Sequence, residues 1–394
     1  MYLVGFLCFT TIMQIISFEC FFQNAGNNSI YGLSRLKVDS ISKLRNKRVK
    51  KKNYTNMNAM KQKEQQNDIV NPNPNPNPIK TNSINSIRPL GDILQKAGVQ
   101  MTDDIQKSLP PLEGIVGMYG SEPILIGEER CDAFQAAFPQ DDRFLAPAGM
   151  FNTGTNLLES LLVNNCHLPV STKKYGMQHN GIKYQVPWGK HSPVDWRFKH
   201  TAPSFEGLPQ SNFLPAVVIK DPYTWMESMC RHRYAAQWRS IEGHCPNLVP
   251  TTPQEKDMIH PKETFAVSIH YHTQNVTHHE SLSELYNEWY GNWLDVEYPR
   301  LLIRFEDLMF HAEHVVEKVC KCAGGKLAEG PFQYTTGSAK TGISHKGSNG
   351  LVKSMLKYGD IQKRTHAYTP MDLDYAKSSL RSDVLDLFHY GTPP

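Results

Sequence analysis

Hydrophobic and polar positions divide the chain into three regions with different patterns. The first 22 residues are mostly apolar, interrupted by Gln14 and Glu19, and their length is about that of one bilayer crossing. Residues 25–110 show no periodic apolar pattern, whereas strand-like runs alternate with helix-like segments over residues 111–394. That alternation predicts parallel βαβ units, and therefore an α/β domain, over residues 111–394.

The N-terminal segment, residues 1–24, is predicted to be a signal anchor or a cleaved signal peptide. The alternative is a buried helix of the main domain. Basic residues follow the apolar segment, and the positive-inside rule alone would leave the rest of the chain in the cytosol. A cleaved signal peptide escapes that rule, so we expect the domain to be lumenal.

Residues 25–110 are predicted to be a disordered stem. They contain a basic run at 31–52 and a repeat of alternating Asn and Pro at 71–78. Alternating proline removes backbone donors and disfavours helix at each preceding residue. A segment of this composition buries too little apolar surface to fold alone. The sequons at Asn27, Asn53 and Asn275 permit glycosylation in the secretory pathway.

The charge of the chain is unevenly distributed. The formal net charge is +4, but residues 31–52 hold nine basic residues against one acid, and the rest of the chain has 33 basic and 37 acidic residues. A mildly acidic folded part argues against a nucleic-acid partner. Any site for an anion must therefore be local.

The cysteines indicate the redox compartment without deciding it. Two of the eight lie in the N-terminal apolar segment, and six lie in the predicted domain. The six are Cys131, Cys166, Cys230, Cys245, Cys320 and Cys322. An even number fits disulfides in a secretory lumen and also fits buried thiols. We favour a pair between Cys230 and Cys245, because they bracket a polar loop. No zinc-ligand spacing is found.

A first candidate site for phosphate lies at residues 149–158. A short apolar run leads into a loop of small residues, after which leucines recur at helical spacing. A strand, a loop with Gly154 and a helix start bring unpaired backbone N–H groups and the helix dipole to one point, which suits phosphate. Thr153 and Thr155 would add hydroxyl donors. This is not a Walker A loop, because no Lys follows Gly154, and an ordinary βα turn is the alternative.

A second candidate site for phosphate lies at residues 220–228. Residues 217–219 form a β-branched run typical of a buried strand, and Lys220 follows at its carboxyl end. Pro222 suits the first position of a helix. Ser228 lies about two helical turns from Lys220, so both side chains can reach one phosphate.

These segments resemble the motifs of the sulfotransferase superfamily. Residues 151–158 are similar to its 5′-phosphosulfate loop in the Gly-Thr pair and the apolar helix. Lys220, Pro222 and Ser228 are similar to its 3′-phosphate motif, with Lys in place of Arg. Residues 301–308 resemble the family's R-Y-E-D-L strand, and residues 345–350 its R-K-G-x-x-G loop. The four motifs follow the family's order over about 200 residues of the chain.

The resemblance implies a three-layer P-loop-like fold with a central, mostly parallel sheet flanked by helices. It implies 3′-phosphoadenosine 5′-phosphosulfate (PAPS) as sulfuryl donor, no metal, and a glycan or tyrosyl-protein hydroxyl as acceptor, with glycans favoured. It also implies a lumenal domain at the Golgi membrane, held there by residues 1–24. The implied cofactor-binding residues are Thr153, Gly154, Thr155, Asn156, Lys220, Ser228, Lys346 and Gly347.

The chain departs from the family at a catalytic position. The family's basic residue in the first loop, which contacts the transferring sulfuryl group, corresponds to Asn152. Either Asn152 donates a weaker hydrogen bond, or another residue supplies the cation. Lys190 and His191 lie in a Trp/Gly/Pro-rich loop between the two phosphate motifs. We expect His191 to act as general base and Lys190 to stabilise the sulfuryl or leaving oxygens.

Weaker candidates and other functions remain open at this point. His179 and Asp195 are secondary candidates for the base, His191 has the alternative of a purely structural role, and Glu306 and Asp307 are expected to fix the loop after their strand. A nucleotide kinase would require a Lys in the first loop and a Mg²⁺-binding acid. A nucleotide-binding module without catalysis is the other alternative, and Asn152 is the feature that favours it.

Overall fold

The computed structural model describes residues 87–176, 180–239, 245–271, 275–339 and 350–393. The strands are β1 (Leu125–Ile126), β2 (Phe144–Gly149), β3 (Cys166–His167), β4 (Phe213–Ile219), β5 (Ala236–Gln237), β6 (Val267–His270), β7 (Val276–His279), β8 (Leu301–Arg304) and β9 (Lys326–Leu327). The helices are α1 (Leu90–Lys96), α2 (Asp103–Ser108), α3 (Leu112–Tyr119), α4 (Cys131–Ala137), α5 (Thr155–Asn165), α6 (Thr172–Tyr175), α7 (Pro222–Arg231), α8 (Pro253–Ile259), α9 (Leu282–Asp295), α10 (Asp307–Phe310), α11 (Ala312–Cys322), α12 (Leu351–Tyr358), α13 (Pro370–Ser379) and α14 (Ser382–Leu387).

The central sheet is mixed and mostly parallel, with the order β1-β8-β4-β2. Strand β4 runs parallel to β2 and to β8, with Val217 opposite Ala148 on one side and Leu302 on the other. Strand β1 is antiparallel to β8. Every residue of β2, β4 and β8 is buried, as expected for parallel strands covered on both faces. The predicted α/β class with a mostly parallel sheet flanked by helices is confirmed at this level.

The carboxyl ends of the three parallel strands meet at one edge of the sheet. Strand β2 ends at Gly149 and leads through a short loop into α5, and β4 ends at Ile219 before α7. Strand β8 ends at Arg304 before α10. Loops that leave the same edge of a parallel sheet converge, so both predicted phosphate motifs lie at this edge.

The folded part begins earlier than the sequence pattern indicates. Residues 87–110, predicted to belong to the disordered stem, contain α1 and α2. Leu90, Ile93 and Leu94 recur at helical spacing and are buried in the core. The boundary at 110 is therefore wrong for residues 87–110. Because α1 has only seven residues and lies in a polar stretch, the periodicity of its apolar residues is too weak to predict a helix.

Among the described residues, three disulfides are formed, two between distant segments and one across a short loop. The pairs are Cys131–Cys322, Cys166–Cys320 and Cys230–Cys245. The first two tie the end of α11 to α4 and β3, and the third is the pair predicted from the polar loop. Disulfides of this number are consistent with an extracellular or lumenal protein. Within the described ranges, no helix has the length and hydrophobicity needed to cross a bilayer.

A buried group of charges supports the loops at the carboxyl edge of the sheet. The Arg304 guanidinium donates to both carboxylate oxygens of Asp307, at 2.6 and 3.0 Å. Asp221, the N-cap of α7, accepts from Arg364 at 2.7 Å. Glu306 accepts from the Asp221 N–H and from the Tyr390 hydroxyl, but no described cation pairs with it. Glu306 and Asp307 thus fix the loop, as predicted.

The buried Glu306 carboxyl is expected to make stability depend on pH. Burial and the nearby Asp221 charge raise the pKa of Glu306 from 4.5 to about 7. Between these pH values the folded protein holds a proton that the unfolded chain has released. The free energy of unfolding should therefore fall by about 3 kcal/mol as the pH rises from 4.5 to 7.

Glu306→Gln should remove most of that pH dependence, because Gln carries no titrating proton and keeps one acceptor oxygen. Urea unfolding of both proteins at several pH values from 4.5 to 8 measures the difference. The exposed Glu206→Gln is the control and should behave as wild type. Parallel pH profiles for wild type and Glu306→Gln would contradict the assignment.

Candidate functional site

A cavity of about 530 Å³ opens at the carboxyl edge of the sheet and is lined by both predicted phosphate motifs. The predicted residues that line it are Asn152, Gly154, Thr155, Asn156, Lys190, His191, Lys220 and Ser228. The chain brings these residues together from three separate segments. Lys346 and Gly347, from the fourth motif, and the secondary candidate His179 lie outside the described residues.

The first loop presents a helix start to the cavity. Gly154 is the N-cap of α5 and has φ 87°, a left-handed conformation that favours glycine. No side chain caps this helix, and the Gly154 carbonyl accepts from the N–H groups of Leu157 and Leu158, so only the Thr155 and Asn156 N–H groups of its first turn are available to an anion. Thr155 and Asn156 in that turn line the cavity. This end of α5 can therefore bind an anion through backbone N–H groups and the helix dipole.

Thr153 does not take the position predicted for it. Its hydroxyl donates to the Met150 carbonyl at 2.8 Å, and the residue is 1% exposed and does not line the cavity. A small hydroxyl can close a tight turn by bonding to a nearby carbonyl. Here the Thr153 hydroxyl forms this local bond and is not directed into the cavity. Thr153 therefore shapes the loop, and its side chain does not line the cavity.

Asn152 connects the two motifs. Its φ is 64°, and its side-chain amide donates to the carbonyls of His232 at 2.8 Å and Ser228 at 3.3 Å. Both carbonyls belong to the end of α7 or the residue after it. The amide thus holds the first loop against α7, and its N–H groups are directed at backbone carbonyls instead of a ligand.

Gly154→Ala should destabilise the domain through two separate effects. A Cβ at position 154 would overlap the ring of Phe305, and φ 87° is strained for alanine. Overpacking costs about 1–3 kcal/mol and the backbone strain about 1 kcal/mol, so we expect a loss of about 2–4 kcal/mol in the free energy of unfolding.

The matched control for this substitution is Gly207→Ala. Gly207 has φ 80°, and its Cβ would meet nothing within 4 Å. This variant should show only the backbone part, about 1 kcal/mol. Chemical denaturation measures both variants, and equal losses would contradict the role given to Phe305.

The second motif holds a buried lysine. Lys220 is 1% exposed, and its Nζ donates to the Ser228 hydroxyl and to the Tyr358 hydroxyl, each at 3.0 Å. None of the ion pairs among the described residues includes Lys220. A buried charge without a counter-charge is costly, so this lysine is suited to an anion that enters the cavity.

Further basic side chains, which the sequence pattern did not predict as site residues, surround Lys220. Arg231 lines the cavity and donates to the Ser228 hydroxyl at 3.3 Å. Burial and the charges of Lys220 and Arg231 lower the pKa of Lys357 to about 8. Burial raises the pKa of the Tyr358 phenol, but Lys220 and Lys357 outweigh it and hold that pKa below its usual value. The three cations Lys220, Arg231 and Lys357 outnumber the buried Glu227 carboxyl beside them, and this excess of positive charge fits a phosphate group.

Arg231 could have been found from its spacing, because it lies three residues after Ser228 on one helix and so on the same face. Tyr358 follows Lys220 by 138 residues, and no local pattern connects them.

The segment that carries Lys190 and His191 is aligned by the edge of the sheet. Residues 181–190 run alongside β2, where the Lys183 N–H donates to Leu145 and the Gly149 N–H donates to Lys190. This backbone pairing fixes Lys190 and His191 beside the start of the first loop. The sequence pattern gave no sign of it, because Gly, Pro and Lys interrupt any strand-like alternation.

The geometry of His191 fits a general base. Its Nδ1 lies 2.6 Å from the Gly149 carbonyl oxygen, which can only accept. Nδ1 therefore carries the proton, and Nε2 holds the lone pair of the neutral ring. Lys190 Nζ donates to Asn156 Oδ1 at 2.6 Å, at the first turn of α5. The first loop has no basic residue of its own, and Lys190 from the neighbouring segment provides a cation beside it.

The secondary candidate Asp195 lies elsewhere. It pairs with Lys199 at 3.0 Å on the surface and lines a separate cleft. Among the described residues, no three His, Cys, Asp or Glu side chains converge as a metal site would require.

No protein-family model matches the chain, and no curated protein matches it. The functional assignment therefore rests on the residues of the cavity and their geometry.

Proposed function

We propose that the domain is a PAPS-dependent sulfotransferase with a P-loop-like fold. The observation that carries the proposal is Lys220, a buried lysine without a described carboxylate partner, in a cavity that it shares with an uncapped helix start. Two anion sites on one cavity suit a nucleotide with two separate phosphate groups. The 3′-phosphate would lie at Lys220, Ser228 and Arg231, and the 5′-phosphosulfate at the start of α5.

The proposed reaction is an in-line displacement at sulfur. The acceptor oxygen forms a new bond to sulfur while the bond from sulfur to the 5′-phosphate oxygen breaks, and adenosine 3′,5′-bisphosphate leaves with that electron pair. His191 Nε2 takes the proton of the acceptor hydroxyl. Lys190 and the N–H groups of α5 stabilise the charge on the transferring and leaving oxygens. None of the residues in this scheme needs a metal ion to perform its step. That the reaction proceeds without a metal stays a prediction.

The position of Lys190 supports a catalytic domain over a binding module without catalysis. Asn152 cannot replace the family's basic residue while its amide is directed at backbone carbonyls. Lys190 Nζ supplies a cation at the same loop, 2.6 Å from Asn156 Oδ1. A nucleotide kinase is disfavoured because no Lys follows Gly154.

The proposal is tested by incubating the full chain with ³⁵S-labelled PAPS and a panel of glycans and tyrosyl peptides. We expect transfer of labelled sulfate to at least one glycan. Binding of PAPS without transfer to any acceptor would favour the binding module, and failure to bind PAPS would refute the whole proposal.

We further propose that the domain lies in the Golgi lumen, with residues 1–24 at the membrane. The three disulfides support a lumenal compartment. The sequon at Asn275 provides a test, because only a domain in the secretory lumen can carry an N-glycan there. Loss of a glycosidase-sensitive mass shift in Asn275→Gln would support the assignment. Recovery of the expressed chain in the cytosolic fraction would contradict it.

A further inference from the structure

A second cleft, of about 480 Å³, lies beside the segment that carries His191. Its walls include three aromatic side chains: Trp196, Tyr271 and Trp289. The Trp196 and Tyr271 rings are tilted relative to each other with centroids 4.8 Å apart and are partly exposed. Trp289 is only 6% exposed and belongs to the core, so Trp196 and Tyr271 provide the accessible aromatic surface. A concave surface with aromatic faces suits a ring-shaped ligand that offers an apolar face.

Polar side chains complete the cleft. Asp195, Glu288 and Asn292 line it and are exposed. Both carboxylates already have partners, since Glu288 lies 2.5 Å from His279 Nδ1 and Asp195 binds Lys199. Paired carboxylates are weak attractors for a cationic ligand, but their remaining lone pairs accept from hydroxyl groups. Aromatic faces together with such acceptors and an amide fit a saccharide ring.

The cleft is adjacent to the proposed reaction site. His191 lines the first cavity and Pro193 lines the cleft, so at most about 7 Å of chain separates the two positions. The Phe151 ring, which lines neither cavity, lies 4.6 Å from the His191 imidazole and 5.5 Å from the ring of Tyr234. Tyr234 lines the cavity, is 50% exposed and has φ 53°, a strained conformation for a bulky residue.

We propose that the cleft of Trp196, Tyr271 and Trp289 is a saccharide subsite that holds a second ring of an oligosaccharide acceptor. The first ring lies on Tyr234 beside His191. This inference rests on the proposed sulfotransferase function and extends it, because two aromatic ring sites joined by one loop suit an acceptor of several ring units. A single tyrosyl ring would occupy only the first.

The subsite is tested by direct binding. The full chain, with and without saturating adenosine 3′,5′-bisphosphate, is applied to an array of mono- to tetrasaccharides, and titration calorimetry follows for the tightest oligosaccharide and its constituent monosaccharides. We expect the oligosaccharide to bind at least about tenfold more tightly than any of its single units. We call this difference in affinity the oligosaccharide gain. Trp196→Ala should remove the gain, and Asn292→Ala, at an exposed position, should reduce it without disturbing the fold.

Tyr184→Ala is the control, because Tyr184 is a 44% exposed aromatic residue that lines neither cavity. It should leave the gain unchanged, and Trp196→Phe, which keeps a ring, should retain most of it. The subsite is wrong if no oligosaccharide binds more tightly than its units, or if the gain survives both Trp196→Ala and Asn292→Ala.

A separate titration with adenosine 3′,5′-bisphosphate distinguishes the two levels of the account. Normal nucleotide binding without any oligosaccharide gain would reject the subsite alone. An oligosaccharide gain that depends on Trp196, without nucleotide binding, would reject the sulfotransferase proposal and leave the saccharide site intact.

Discussion

Replacing His191 by alanine should lower the turnover number by about 100- to 10,000-fold, the usual contribution of a general base. The Gly149 carbonyl at Nδ1 fixes the ring tautomer that leaves Nε2 as the acceptor for the substrate proton. The proposal assigns His191 to the acceptor hydroxyl and to neither phosphate group, so the affinity for adenosine 3′,5′-bisphosphate should stay within about twofold of wild type. Single-turnover transfer from labelled PAPS, together with calorimetry, measures both quantities.

A matched control for His191→Ala is His314→Ala, since His314 lies on α11 and lines neither cavity. It should keep both turnover and nucleotide affinity. Normal turnover in His191→Ala would show that the base has been assigned to the wrong residue. Equal losses of turnover and nucleotide affinity would show that His191 supports the fold of the site instead.

Replacing Lys220 by methionine should have opposite effects on nucleotide affinity and on the stability of the free protein. Removing one partner of a buried ionic hydrogen bond costs about 2–5 kcal/mol, so the Kd for adenosine 3′,5′-bisphosphate should rise by about 30-fold or more. The free protein should melt at the same or a higher temperature, because methionine fills a similar volume and removes a buried charge that forms no ion pair with any described residue.

Weaker nucleotide binding together with an unchanged or higher melting temperature would show that the variant has lost the binding site and is still folded. The surface variant Lys321→Met, which breaks only an exposed pair with Glu317, should change neither property. Wild-type nucleotide affinity in Lys220→Met would contradict the role of Lys220. A fall in melting temperature of the free protein would contradict the view that its buried charge lacks a counter-charge.

Local sequence signals predicted the parts of the fold that are set by neighbouring residues. The β-branched run before Lys220 and the proline after it predicted the end of β4 and the start of α7, and both are found. The contact between Lys220 and Ser228 follows from a spacing of eight residues, which the strand end and one helix determine. The loop with Gly154 and the leucines after it likewise predicted the start of α5, which is found with Gly154 as its N-cap.

Features that depend on distant contacts could not be predicted. Tyr358 reaches Lys220 only because α12 packs beside the carboxyl edge of the sheet. Residues 181–190 take a defined path only because β2 has a free edge to pair with. From the sequence, the side-chain donors of Thr153 and Asn152 were expected to bind a ligand. In the structure both donate to nearby backbone carbonyls. Position in the sequence shows which groups are present, whereas packing decides which of them remain for a ligand.

The central claim is that the cavity binds a nucleotide with separate 3′- and 5′-phosphate groups. The most direct measurement is a calorimetric titration of the full chain with adenosine 3′,5′-bisphosphate and, in parallel, with ADP, which lacks the 3′-phosphate. Because the 3′-phosphate would meet Lys220, Ser228 and Arg231, we predict that adenosine 3′,5′-bisphosphate binds at least about 30-fold more tightly than ADP. Equal affinity for the two nucleotides, or binding of neither, would contradict the account.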